Sequence, residues 1–546
     1  MKKISKLLLI LITSIFVLVG CDYTDNNNQL RKLEAPYVEY DGSKLVWDSV
    51  TNADEYLIYV DDICLTKTTH TYFEDFELSG RTGIFYVVAS GDKEYFENSP
   101  ASNKINLANL SQTKTSYESK FFMINDTHGA FVDDLYPGVE RIADLLDRLG
   151  DGYIKIANGD ILQGSYVSNV LCGYPMIDAL NNMNFNAYVI GNHEFDWGLD
   201  KIAEYKDGNL TNGEANFPFL GANIIDKNTN EIVDFLEPYT IVEEDHVRVG
   251  IIGLIGSNLT SSILYDNVKN YQFTDCVEVA KKYARELRTT KNCDVVVVAI
   301  HAYDSDVNYQ LSQLDNVEAI DAIFCGHTHT YQNESMTRRD GVSIPIVENK
   351  DKNQTAVTVN LELNARKDLS KYSVNFYYPQ NYDLDSNMKN VVKQYQAYID
   401  EGNRSLGNTS FYFDRTMLGN FSVEAMRNEL KSDFAILNTG GVRSYIEIGN
   451  VTVSDVYNVF PFNNEVYVVE MSGYALLRLY NNNSDYIYIN QDFSYSDVIS
   501  DKTYKIAVID YVFTNPYYES YFRNANYVDT DIIMRDLVIE YIDNII

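Results

Sequence analysis

The spacing of apolar positions changes character along this chain, and each change marks a boundary. At the start, Lys2, Lys3 and Lys6 precede an unbroken apolar run from Leu7 to Val19. That run is too short to span a bilayer comfortably and reads as a targeting segment over residues 1–21. Residues 22–33 (DYTDNNNQLRKL) are polar and Asn-rich, and read as a tether. From Ala35 short alternating strands recur about every ten residues: Tyr37–Tyr40, Leu45–Trp47, Glu55–Val60, Thr71–Phe76 and Phe85–Ala89. Asp-Gly, Ser-Gly and Ser-Pro breaks separate them, so the spacing predicts a small all-β sandwich over residues 34–110.

From about Lys120 alternation gives way to continuous apolar strands set between helical stretches. The strands are Phe121–Ile124, Tyr153–Ala157, Ala187–Ile190, Val249–Ile255, Asp294–Ile300 and Asp321–Phe324. Between the first two, VERIADLLDRLG places Ile142, Leu145, Leu146 and Leu149 on one helical face, with Gly150 as its stop. A second amphipathic helix runs from about Cys276 to Arg288. Buried strands alternating with helices predict a layered α/β domain over residues 117–375. Asp385 to Ile399 reads as a helix with Val392, Tyr395 and Ile399 on one face, inside a linker or hinge over 376–402. The remainder, 403–546, is mixed α+β and long enough for a third domain, with Asn438-Thr439-Gly440-Gly441-Val442-Arg443 after a strand at Phe434–Leu437.

Composition narrows the partners. The formal charge of −34 over 546 residues excludes nucleic acid or anionic lipid as a general partner. A phosphate substrate stays open, because bound metal ions and a few arginines reverse the sign locally. After Cys21, five scattered cysteines remain (Cys64, Cys172, Cys276, Cys293, Cys325) without a CxxC pair, so buried free thiols are expected.

Side chains able to bind metal or move protons stand just after the predicted strands of the α/β domain. Asp126 and His128 follow the first, Asp160 the second, and Asn192 and His193 the third; His301 follows VVVVAI, and His327 and His329 follow DAIFC. Ligands of open α/β sheets bind at the carboxyl ends of strands. Five of the chain's seven histidines fall in this set, with His70 and His246 reading as surface residues. In GNHEFDWG, glycines bound a segment that holds Asn192, His193 and Asp196. Mixed imidazole and carboxylate donors suit Zn, Mn, Fe or Co better than Mg or Ca. Two such ions about 4 Å apart supply a nucleophile at neutral pH and neutralise phosphoryl charge.

The ordered series D-x-H, G-D, G-N-H-E, H, G-H-x-H resembles the calcineurin-like metallophosphoesterases, and NDTHG, GNHEFD and NTGGVR narrow this to the 5'-nucleotidase/UDP-sugar hydrolase family. The resemblance covers about residues 117–546. It implies that Asp126, His128, Asp160 and His329 hold one divalent ion and that Asp160, Asn192, His301 and His327 hold the other. It leaves His193, paired with Asp196, as a catalytic imidazole rather than a ligand. It further implies that Asn438, Gly440, Gly441 and Arg443 bind substrate, that Arg415 is a second phosphate-side arginine, and that Phe462 and Asn464 of Pro461-Phe462-Asn463-Asn464 line the nucleobase pocket. The family's late F-x-x-x-G-G-D-G is absent here. The corresponding stretch runs from Asp510 to Tyr518, where Tyr511 or Phe513 can stack but no ribose-binding Asp can be placed.

Two further resemblances concern the amino-terminal part. Leu18-Val19-Gly20-Cys21 is similar to the lipobox of bacterial lipoproteins, which implies an extracytoplasmic protein held to the membrane through lipid on Cys21. The order Pro36, Trp47, YLIYVDD, FYVVAS resembles a fibronectin type III domain, a spacer or a module for a surface ligand. The expectation is an anchored dimetal phosphoesterase that hydrolyses a small nucleotide-like phosphate ester. Alternatives with the same centre are a 2',3'-cyclic nucleotide phosphodiesterase, a UDP-sugar hydrolase or a sugar phosphatase. A thiosulfohydrolase and a non-enzymatic adhesin fit less well, since none of the metal-type positions before residue 330 is missing.

Overall fold

A computed structural model describes residues 30–40, 44–74, 83–107, 116–209, 213–364, 366–490, 492–523 and 525–543. The chain forms two compact units, Met1–Thr113 and Lys114–Ile546. The expected targeting segment with Cys21 lies outside the described residues. No helix among the described residues is long and apolar enough to cross a membrane.

The first unit is all-β where described. One sheet joins Val38–Tyr40, Leu45–Trp47 and Tyr72–Phe73; the other orders Ile63–Thr68, Glu55–Val60, Gly83–Ser90 and Ile105–Leu107. Alternation in Glu55–Val60 buries Tyr56, Ile58 and Val60, which join Phe85, Val87 and Ala89 in one core. Trp47 packs edge-on against Tyr56, with ring centroids 5.4 Å apart. Two expectations need correction. The tether is shorter than residues 22–33: Arg31–Lys32 pairs with Phe96–Glu97, and the apolar Leu33 finds the core. Cys64 is exposed and Cys172 half-buried, while Cys276, Cys293 and Cys325 are buried as expected. Cys64 lies on Ile63–Thr68, an edge strand whose outer residues face water.

The second unit opens with two sheets that share a core. The seven-stranded sheet orders Leu236–Glu237, Phe219–Leu220, Ala187–Val189, Tyr153–Asn158, Ser116–Ile124, Ala356–Asn364 and Leu369–Tyr377. The six-stranded sheet orders Tyr239–Glu244, Val247–Ile255, Val295–His301, Ala322–Phe324, Ser343–Glu348 and Gln332–Thr337. Phe121 and Met123 face the second sheet, whereas Phe122 and Ile124 face the layer containing Val139–Leu149. Both faces are covered, which explains why these strands read as unbroken apolar runs. Val139–Leu149 and Cys276–Thr289 form helices as their periodicity predicts.

The helix expected over Asp385–Ile399 is broken into Met388–Val392, a tighter turn at Lys393–Tyr395, and Gln396–Gly402. Val392, Tyr395 and Ile399 are nevertheless all buried in the same core. Beyond it, a five-stranded sheet orders Ile487–Ile489, Phe434–Asn438, Thr503–Ile509, Glu465–Ser472 and Asn526–Ile533. Arg415–Leu430 and Met534–Asp543 are among its helices, and it has a core of its own.

Candidate metal centre

The strands Ser116–Ile124, Tyr153–Asn158 and Ala187–Val189 run parallel, as do Val295–His301 and Ala322–Phe324 in the other sheet. The donors follow their carboxyl ends and converge there. Asp126, His128, Asp160, His327 and His329 hold φ values of 50°, 48°, 53°, 81° and 59°, a left-handed backbone that is unfavourable for residues with a side chain. Close approach is enforced elsewhere as well. A Cβ on Gly159, itself at φ 78°, would lie 2.3 Å from His301 Nδ1, and one on Gly191 would lie 2.3 Å from Asp160 Oδ1.

Two groups of donors result, Asp126–His128–His329 and Asp160–His301–His327, each with ligand atoms close enough to share one ion. His128 Nε2 and His329 Nε2 stand 3.1 Å apart. Two nitrogens bound to one ion at about 2.0–2.1 Å lie roughly 3–3.4 Å from each other. Within the second group His301 Nε2 stands 3.1 Å from Asp160 Oδ2, and across to the first it stands 4.0 Å from Asp126 Oδ1.

The fit to metal is tested by the atoms left over. Asp126 Oδ2 accepts from Asn125 Nδ2 and the His327 amide, at 2.7 and 2.9 Å, while its Oδ1 is buried without a hydrogen-bond partner. Asp160 Oδ1 accepts from the His193 amide at 2.8 Å, while its Oδ2 is likewise orphaned. Asn192 Oδ1 and His301 Nε2 complete this set of orphans. On the far side of the rings, His128 Nδ1 meets the Gln163 carbonyl at 3.2 Å, His301 Nδ1 the Asn158 carbonyl at 2.9 Å, and His329 Nδ1 lies 3.5 Å from Asp351. Imidazoles steered at Nδ1 with Nε2 free to ligate are characteristic of metal sites. A buried polar atom without a partner costs about 1–3 kcal/mol, so these residues fit two cations that each take several such atoms.

Electrostatics agrees. Burial, the largest single influence, works against ionisation of Asp160 and Asp126, yet His301 together with His193 for Asp160, and with His329 for Asp126, holds both below the ordinary carboxylate range. Burial likewise opposes charge on His301, but Asp160 and Asp126 push it up to about 10. Carboxylates that draw a proton onto His301 draw a divalent cation equally well. Burial and neighbouring imidazoles hold His128 well below its usual value and His327 down to about 4, leaving both neutral and able to ligate.

Two acids that the sequence did not single out support the loops. Glu194 is fully buried; its Oε2 accepts from the Asp160 and Gly191 amides at 2.9 and 2.7 Å, and its Oε1 from the Ile161 amide and the Tyr188 hydroxyl at 3.0 and 2.5 Å. Glu348 accepts from both the amide and hydroxyl of Thr328, at 2.8 Å each, and so fixes the turn between His327 and His329. The available signal for Glu194 was an acid placed directly after a buried strand, between His193 and Phe195.

His193 Nδ1 is 2.9 Å from Asp196 Oδ2, and its Nε2 points inward, 3.9 Å from Asp160 Oδ2. Burial opposes charge on His193, but Asp196 and then Asp160 raise it above its ordinary value. The remaining candidates divide between two cavities. Asn192, His193, Asp196, Asn438, Gly440, Gly441, Phe462, Asn464 and Tyr511 line one of about 400 Å³. Arg415 lines a neighbouring one of about 280 Å³, and Arg443 lines both. The Phe462 ring stacks on His193 at 5.5 Å, Tyr511 donates its hydroxyl to the Ser261 carbonyl at 3.2 Å, and Asn464 donates to Asp510 at 2.8 Å. The Pro461 carbonyl accepts from Gln163 Nε2 and Asn169 Nδ2, both at 2.8 Å, and from Arg535 at 3.2 Å. Substituting Glu194→Ala removes the acceptor for three amides. The expected result is a loss of about 10–100-fold in apparent transition-metal affinity, measured by competition with a chromophoric chelator.

Residues 119–331 match the calcineurin-like phosphoesterase family, and residues 392–493 match the 5'-nucleotidase C-terminal domain. The chain is 28% identical over 346 residues to endonuclease YhcR of Bacillus subtilis, a match covering 59% of this chain and 28% of that protein. It is 25% identical over 426 residues to the 5'-nucleotidase of Vibrio parahaemolyticus, covering 67% of this chain and 75% of the other. It thus spans under a third of the first relative and three quarters of the second. The crystal structure of a 5'-nucleotidase precursor from Thermus thermophilus shares its fold, with a TM-score of 0.68 at 20% identity over 78% of this chain and 96% of that one. The chain therefore joins a calcineurin-like phosphoesterase domain, whose dimetal centre the two donor groups fit, to a 5'-nucleotidase C-terminal domain.

Proposed function

We propose that the protein hydrolyses nucleotides to nucleoside and phosphate in the manner of a 5'-nucleotidase. The observation that carries this reading is the set of buried orphan atoms on Asp126, Asp160, Asn192 and His301, facing one another beside the cavity that His193 and Arg443 line. Asp126, His128, Asp160 and His329 would hold one divalent ion, and Asp160, Asn192, His301 and His327 the other. Bound there, the ions supply an activated water and neutralise charge on the phosphoryl oxygens.

The chain's own residues do the rest. Asp196 orients His193 and favours its protonated form, so Nε2 presents a proton toward the phosphoryl group and the departing oxygen. Arg443 grips phosphate from the opposite wall. Gly440 and Gly441 let the backbone approach the substrate, and Asn438 adds a polar contact. Phe462, Tyr511 and Asn464 enclose the organic group. His193→Ala is expected to leave bound metal unchanged, by elemental analysis, and to lower turnover by about 10²–10⁴. Turnover close to wild type in that variant overturns the role.

A second reading keeps the centre and changes the ester. Among the described residues, the C-terminal domain lends no carboxylate to the larger cavity, so the usual partner of ribose hydroxyls is missing. This favours an ester without a free ribose diol, a 2',3'-cyclic nucleotide or a sugar phosphate, over a UDP-sugar, which keeps that diol. A panel of these against 5'-nucleotides, with Mn or Zn supplied after chelator treatment, separates the readings by the largest kcat/KM; no hydrolysis of any member rejects both.

The site of action proposed is outside the cytoplasm, at the membrane, through lipid on Cys21, with the first unit as a fibronectin-like spacer or surface-ligand module. Lys2, Lys3, Lys6, the apolar run and Leu18-Val19-Gly20-Cys21 support it. Cys21→Ser is expected to abolish incorporation of radiolabelled palmitate and to shift the protein out of the membrane fraction; unchanged labelling contradicts the anchor.

A further inference from the structure

Phe462, Asn463 and Asn464 line the larger cavity, while main-chain carbonyls of the same loop converge on one side chain, Arg535. Arg535 Nη1 donates to the carbonyl oxygens of Phe460, Pro461 and Phe462 at 3.3, 3.2 and 3.2 Å. Its Nη2 donates to Asn463 Oδ1 at 2.7 Å. The preceding residue, Met534, donates its amide to the Asn464 carbonyl at 2.9 Å. The opening of the last helix, Met534–Asp543, thus engages every residue from 460 to 464.

Arg535 is only 4% exposed. Its one ion pair among the described residues is loose, Nε to Asp536 Oδ1 at 3.7 Å, and Asp536 is exposed. The guanidinium instead lies 3.7 Å over the Tyr457 ring, and Tyr457 meets Tyr166 of the phosphoesterase domain edge-on at 4.8 Å. A buried cation without a close carboxylate depends on each dipole around it, because an acceptor withdrawn leaves charge uncompensated. Turning any peptide of 460–462 takes an acceptor from Arg535. Burying one charge therefore locks the loop as a unit.

We propose that Arg535 is a positioning residue for recognition of the ester's organic group: its guanidinium sets the main chain of residues 460–463 and so the placement of Phe462 and Asn464 in the larger cavity. The inference rests on the reading of that cavity as the seat of the organic group. Arg535 lies beyond residue 493, where the match to the C-terminal domain ends. The planar fork suits the task, since an ammonium is a point charge and does not span the same acceptors.

The test compares the full chain with Arg535→Met and Arg535→Lys on a nucleoside 5'-monophosphate and on methyl phosphate, with divalent metal present. Both esters use the metal centre, and only the nucleotide reaches the loop. Arg535→Met is expected to raise KM for the nucleotide about tenfold with kcat little changed. Methyl phosphate hydrolysis and bound metal stay at wild-type levels. Arg535→Lys keeps the charge, loses the fork and recovers little. Equal losses on both esters, or no change on either, overturn the positioning role. Tyr457→Leu removes the ring beneath the guanidinium and is expected to shift the nucleotide KM in the same direction; it decides the matter if Arg535→Met does not fold. Hydrogen exchange read by mass spectrometry follows the loop without turnover. Arg535→Met is expected to speed exchange over 460–464 by roughly tenfold and to leave 191–198 unchanged. A wild-type chain that hydrolyses neither ester fails the reading of the cavity, and the exchange result still decides Arg535. Unchanged exchange over 460–464 fails the positioning role alone.

Discussion

The structure depends on a constraint that a bound cation relieves: carboxylate, amide and imidazole atoms are buried together without hydrogen bonds of their own. Asp126 Oδ1, Asp160 Oδ2, Asn192 Oδ1 and His301 Nε2 are out of water and make no hydrogen bond, although His301 Nε2 and Asp160 Oδ2 lie 3.1 Å apart. Each such atom costs about 1–3 kcal/mol, comparable in sum with the whole stability of an ordinary domain. The five left-handed residues add backbone cost at the same place. An assembly of this kind persists because two fully covered sheets over-determine the loops. The supporting bonds go to the other half of each donor: Asn125 and the His327 amide to Asp126, the His193 amide to Asp160, the Asn158 carbonyl to His301. One atom of each group is anchored so that the other faces inward.

Much of this was legible in the sequence, for a physical reason. Strands covered on both faces must be apolar throughout, so Val295–His301 and Ala187–Val189 stand out as runs, and the polar residues ending them mark the edge where the sheets open. Asp126, His128, Asp160, Asn192, His193, His301, His327 and His329 therefore came from pattern and spacing, and the structure brings them together. Strands of the first unit such as Glu55–Val60 were legible from alternation, though Leu33 was lost inside a polar stretch because one apolar residue sets no period.

What was not legible acts through contacts remote in sequence or through the backbone. Glu194 works by accepting three main-chain amides, and main-chain partners leave no pattern in a sequence. Glu348 and Lys352 reach the centre from a strand and loop far from Asp126. Periodicity over 385–399 reported which side is buried and missed the breaks, because Val392, Tyr395 and Ile399 remain in the core across a local change of helical pitch. Arg415 and Arg443 look alike as phosphate-type arginines, and only three dimensions separate the cavity of one from the two cavities of the other.

The bonds at Pro461 have a consequence for how such a protein can change. Gln163 and Asn169 from the metal half, and Arg535 from the C-terminal half, all donate to the carbonyl oxygen of residue 461, and Arg535 donates to Asn463 Oδ1 as well. The seat of the substrate half on the metal half thus rests in part on main chain, beside the stacking of Phe462 on His193. A substitution at 462, 463 or 464 alters the organic-group pocket while the main-chain bonds at 461 keep the loop registered to the hydrolytic machinery. Selectivity can be rewritten one residue at a time, with the bond-breaking apparatus left in place.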